Sequence, residues 1–106
     1  MSEATAGPSG LGTVVMELGA DIGALILFTP ADMDGIEIEI SRDDDPSARR
    51  THSQVRQRHV ATVTKYAAVY PGLRAGRYTI WTVENSPAAT AVITGGQVTS
   101  CRWPER

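Results

Sequence analysis

The chain is poor in reactive side chains. Its 106 residues include one cysteine (Cys101), one lysine (Lys65), one phenylalanine (Phe28) and two histidines, His52 and His59. A single cysteine excludes an internal disulfide framework and any cysteine-rich zinc site. No apolar run is longer than Ala24 to Phe28, far short of the roughly 20 residues a membrane helix needs. The stretch from Met1 to Gly10 has neither a basic start nor an apolar segment, so no secretory signal is predicted, and a soluble, cytoplasmic protein is expected. Ten basic against twelve acidic side chains give a formal charge of −2. That balance lacks the concentrated basic excess of a generic nucleic-acid binder. No Gly-x-Ser-x-Gly elbow and no glycine-rich phosphate loop occur, and no cofactor is expected.

What the chain does have is strand pattern. Residues 1–10 are small and polar and predict a disordered lead-in, with one domain over 11–106. Strands are expected at Thr13–Leu18 and at Asp21–Phe28, with Gly23 as a possible bulge in the second. Ile36, Ile38 and Ile40 alternate with Glu37, Glu39 and Ser41, the signature of a half-buried strand with its carboxylates in water. Residues 42–51 form the most polar loop. His52–Ala61 is weakly patterned and predicts one edge strand, where Arg56 and Arg58 would discourage further pairing. In Val63–Tyr70, Tyr66, Ala68 and Tyr70 share the inward face opposite Lys65. Gly76–Val83 follows. Thr90–Ile93 and Val98–Trp103 flank Gly95-Gly96, which reads as a two-residue hairpin turn. The sum is an all-β fold, a mostly antiparallel sandwich of about seven strands.

Tyr70-Pro71-Gly72-Leu73-Arg74-Ala75-Gly76-Arg77-Tyr78 marks the turn between two sheets. Gly76 frees the backbone, Leu73 plugs the core, and Tyr78 turns its ring inward with its hydroxyl aimed at the backbone upstream, a tyrosine corner. With the later Ile93, Gly96, Cys101 and Trp103, this pattern resembles carboxypeptidase regulatory-like and collagen-adhesin B-type modules, which are transthyretin-like (prealbumin-like) sandwiches. The match covers residues 66–103. It implies a transthyretin/immunoglobulin-like fold, burial of Cys101 and Trp103, and an accessory role. The related hydrolases end in a Tyr-Arg-Gly-Ser signature that this chain lacks, so catalysis is not carried over.

Candidate sites are few. Seven positions apart, His52 and His59 fall on opposite faces of one uninterrupted strand and read as surface or edge histidines. Asp32-Met33-Asp34-Gly35 imitates the start of a calcium loop, but its fifth ligand position is Ile36, so it reads as a turn and no metal is expected. Cys101 reads as a buried, inert thiol. Segment 17–45 holds nine acidic residues and one basic, whereas 46–77 holds seven basic and none acidic. That asymmetry suits a self-associating, dipolar surface, or solvated faces of opposite sign. Trp81 alternates away from Tyr78 and Ile80, so either another part of the chain, such as 21–28, or a partner covers it.

These features predict a non-catalytic structural or protein-interaction module, self-associating, with Trp81, Arg56 and Arg58 as its interaction face. The arginine-for-lysine skew suggests a GC-rich, bacterial genome. The alternative is a small-ligand carrier or transthyretin-type hydrolase, with a dimer-interface site built from His59, Arg56, Arg58 and His52.

Overall fold

The computed structural model describes residues 20–45 and 49–104. The predicted lead-in and the predicted strand at 13–18 lie outside them. Eight strands, rather than about seven, are present among the described residues: β1 (Ile22–Thr29), β2 (Glu37–Arg42), β3 (Thr51–Gln54), β4 (Arg56–Val60), β5 (Val63–Arg74), β6 (Gly76–Trp81), β7 (Pro87–Ile93) and β8 (Val98–Arg102). They form two four-stranded sheets, ordered β4-β5-β1-β8 and β3-β2-β6-β7. All pairings are antiparallel except that of β1 with β8. No helix among the described residues is long and apolar enough to cross a membrane.

The core lies between the sheets and follows the alternation read from sequence. Leu25 and Leu27 of β1, Ala68 and Tyr70 of β5, Ile38 and Ile40 of β2, and Tyr78 and Ile80 of β6 are all buried in one cluster. Lys65 is exposed on the other face of β5, and Glu37 and Glu39 are exposed on β2.

Three expectations are corrected. His52–Ala61 is not one strand. β3 and β4 are edge strands of different sheets, and fully buried Val55 is the pivot between them. The Val55 N–H donates to the Ile36 carbonyl and its own carbonyl accepts from Gly35, both at 2.8 Å, so the crossover keeps its backbone satisfied. Ser53 completes the exchange: its hydroxyl donates to the Val69 carbonyl (2.8 Å) and accepts from the Val69 N–H (3.2 Å).

Second, β5 does not end at Tyr70 but runs on to Arg74. Opposite the single residue Ala24, between the pairs Leu25↔Tyr70 and Gly23↔Leu73, it carries two, Pro71 and Gly72. The bulge expected at Gly23 is therefore on the partner strand, where a proline without a donor costs the ladder nothing. Third, Gly95-Gly96 closes no hairpin: β7 and β8 belong to different sheets, and β8 lies parallel to β1.

The corner after β5 forms as predicted from the sequence. The Tyr78 hydroxyl donates to the Arg74 carbonyl at 2.7 Å. Arg42 braces the same turn, donating to the carbonyls of Ala75 (2.7 Å) and Arg74 (3.3 Å) while pairing with Asp44. Tyr78→Phe is expected to lower stability by about 1 kcal/mol through loss of one hydrogen bond. Thermal denaturation checks it, and an unchanged midpoint would show that the hydroxyl does not hold the corner.

Candidate functional site

The residues singled out from sequence do not come together. His52 sits on β3, with Nδ1 3.5 Å from Glu37 Oε1. His59 sits on β4 in the other sheet, with Nδ1 3.3 Å from Thr64 Oγ1. Both are exposed. Arg56 and Arg58 share β4 with His59, but alternation turns them to the opposite side. Trp81 is on β6, in the second sheet, away from both arginines.

Trp81 is covered by its own chain. Its indole N–H donates to Ser41 Oγ at 2.9 Å. The Arg50 guanidinium lies over its ring, 3.9 Å from the centroid, and is held there by Glu39 Oε1 (3.0 Å) and Asn85 Oδ1 (2.6 Å). A cation on an indole face with a carboxylate behind it is a self-contained arrangement. The covering element is thus Arg50, at the end of the polar loop, and not the 21–28 segment. Sequence reasoning missed it because a loop arginine has no periodicity to place it.

Much of the charge asymmetry is likewise settled within the chain. Arg42 meets Asp44, Arg50 meets Glu39, and Arg77 lies 3.7 Å from Asp43. Asp32 and Asp34 are exposed around a short 3₁₀ turn, Ala31–Met33. Among the described residues no three His, Cys, Asp or Glu side chains group as metal ligands. Cys101 is half-buried against the core, and burial pushes its thiol pKa up, away from the reactive thiolate.

The concavity that does form had no signal in the sequence. At one end of the sandwich the core is left open as a groove of about 1310 Å³. Half-buried Met33, Ile36, Tyr66 and Trp103, all packed on the core, make its floor; Phe28 flanks them, and Lys65, Arg102 and Asp32 stand at its rim. Two local devices build it. The Trp103 N–H donates to the Phe28 carbonyl at 2.7 Å, extending the β1–β8 ladder by one rung and holding the indole at the mouth. After Pro30, the bonds Met33 N–H to Pro30 O (3.2 Å) and Ile36 N–H to Met33 O (3.0 Å) fold the chain back so that Met33 and Ile36 face the core. Among the described residues the lining offers apolar area and charge but no imidazole, thiol or paired carboxylates.

No family model, curated protein or solved structure matches the chain.

Proposed function

We propose that the chain is a non-catalytic protein-interaction module that accepts an apolar segment of a partner in the groove at the end of the sandwich. The observation that carries this reading is the floor of Met33, Ile36, Tyr66 and Trp103, which continues the core yet stays half-exposed. Aromatic and methionine side chains in an open, water-accessible concavity are what protein interfaces concentrate. Small-molecule sites instead enclose most of their ligand in clefts of roughly 300–1,000 Å³ with a few convergent polar groups. This groove is wider, and its charged residues among those described stand at its rim. Self-association is one way of filling it, and sedimentation velocity over a range of concentrations separates a second copy from a foreign partner.

Selection of random dodecapeptides on the immobilised protein tests the proposal. Peptides sharing an apolar core motif should emerge. In a Trp81→Phe background they should shift the emission of Trp103 to the blue. Met33→Glu, at the half-buried turn, should weaken them about tenfold or more, about 1.4 kcal/mol, with circular dichroism showing that the variant remains folded at the binding temperature. Peptides that leave Trp103 emission unchanged, or that bind the Met33→Glu variant equally well, would put the interaction elsewhere.

A further inference from the structure

The two sheets treat cations differently. Around the β3-β2-β6-β7 sheet, Arg42, Arg50 and Arg77 each have a carboxylate within 4 Å. The β4-β5-β1-β8 sheet has no acidic residue on any of its four strands, yet it carries Arg56, Arg58, Lys65, Arg74 and Arg102. Register places four of these on its outward side. Arg56 pairs with Ala67, Arg58 with Lys65, and Phe28 with both Ala67 and Arg102. Directly paired residues point the same way. Arg56, Arg58, Lys65 and Arg102 therefore share one side with half-buried Phe28 and the small buried cluster of Ile26, Ala67 and Val69.

Among the described residues none of these four cations forms an ion pair. Lys65 rests over the Phe28 ring, 5.6 Å from its centroid. Arg58 donates from Nε to the Ala67 carbonyl at 3.2 Å. Its pKa is lowered, first by burial and then by the neighbouring positive charge of Arg56. Two guanidinium groups on one strand face with no counter-ion among the described residues repel each other. The same chain supplies carboxylates to its arginines elsewhere. Two of the four, Lys65 and Arg102, also stand on the rim of the groove, so the basic face and the apolar concavity are continuous.

We propose that this face binds an acidic protein segment, whose carboxylates pair with Arg56, Arg58, Lys65 and Arg102 while a neighbouring apolar side chain enters the groove. The inference rests on the groove being an interaction site and adds the chemistry of the partner. Strand geometry favours an extended peptide: Arg56 and Arg58 are two residues apart, roughly 6.6 Å along a strand at about 3.3 Å per residue. That repeat matches carboxylates on alternate residues of an extended chain. Complementary charge of this kind governs approach and partner choice, and it is sensitive to salt.

Fluorescence anisotropy with labelled dodecapeptides of alternating Glu and Leu, Gln and Leu, or Lys and Leu tests it. The Glu/Leu peptide should bind about tenfold or more tighter than the Gln/Leu peptide at low salt. That advantage should vanish in molar salt, where the screening length is about 3 Å. The doubly substituted Arg56→Glu/Arg58→Glu protein should lose the preference and take the Lys/Leu peptide instead. Lys65→Gln/Arg102→Gln provides a milder second variant should the edge strand not tolerate the charge reversal. Equal binding of the Glu/Leu and Gln/Leu peptides would overturn the charge inference while leaving the groove standing. Binding of neither would overturn both. An oligo-dT of matching length that binds as tightly as the Glu/Leu peptide would make the face a general polyanion surface and overturn the assignment to protein.

Discussion

Gly23→Ala is expected to cost about 3 kcal/mol or more, at the upper end of what overpacking does, and to lower the thermal midpoint by more than about 10 °C. A methyl group at this position would run into the Thr94 carbonyl oxygen and lie 2.8 Å from Ile93 Cγ2 and 3.0 Å from the Gln97 carbonyl. Two of those three contacts are backbone and cannot rotate away. They belong to the crossover between β7 and β8, which is tied to β1 by Ala24 N–H to Gln97 O at 3.0 Å and Gly96 N–H to Ile22 O at 2.8 Å. Relief would have to break this tie, and with it the start of the parallel β1–β8 ladder. Gly72→Ala is the matched control, because a methyl there meets nothing within 4 Å. Its effect should stay within about 0.5 kcal/mol. Urea denaturation of both variants decides the matter. A Gly23→Ala protein as stable as the Gly72→Ala protein would mean that the crossover yields freely and does not lock the two sheets together.

The same crossover shows which part of the fold was legible in the sequence and which was not. β2 was readable because Ile38 and Ile40 alternate with Glu37 and Glu39, and period two is a local property. The corner at Tyr78 was readable because its hydrogen bond reaches back only to Arg74. Gly95-Gly96 was readable as a break between strands, but two glycines between β-branched runs look alike whether the strands pair or part. What separates the cases is the closeness of Ala20 to Gly95 and of Thr94 to Gly23, which is a long-range fact. Val55 posed the same problem: one apolar residue between polar ones gives no period, although its complete burial is what divides 51–60 between two sheets.

The candidate site was harder to read still. Tyr66 and Trp103 were recognisable as inward-facing and Lys65 as outward-facing. Inward-facing and enclosed are different conditions, and only the end of the sandwich decides between them. The groove exists because β1 and β8 stop near Thr29 and Arg102 while the Pro30–Ile36 turn folds beside the core without capping it. The basic face was hidden for a related reason. A net charge of −2 averages over two sheets, one whose described strands carry carboxylates and one whose described strands carry none.

Tyr70→Phe should be the more costly of the two tyrosine-to-phenylalanine changes. The Tyr70 side chain is 1% exposed, and its hydroxyl donates to the Ile38 carbonyl at 2.7 Å across the core. This bond joins β5 of one sheet to β2 of the other, deeper in the core than the Ser53–Val69 bonds that also link the sheets. Removing the donor deletes a fully buried hydrogen bond that water does not readily replace, so the expected loss is about 1.5 kcal/mol, the upper end of a neutral hydrogen bond's net worth. At the partly buried Tyr78 hydroxyl, water can take over the bond to Arg74, and the loss there is smaller. The pH dependence gives an independent readout. Burial, and next to it the neighbouring Cys101 thiol, raise the Tyr70 phenol well above its ordinary value, so the folded protein keeps this proton after the unfolded chain has released it. Stability from this group is therefore intact below about pH 10, the ordinary tyrosine range, and falls as pH rises beyond it, where the unfolded state binds fewer protons. The Tyr70→Phe protein has no phenol to lose. Its deficit against the parent should be full near neutrality and should narrow above about pH 10. A deficit that stays constant through the alkaline limb would mean that the Tyr70 hydroxyl is free to ionise in the folded state and is not held by Ile38.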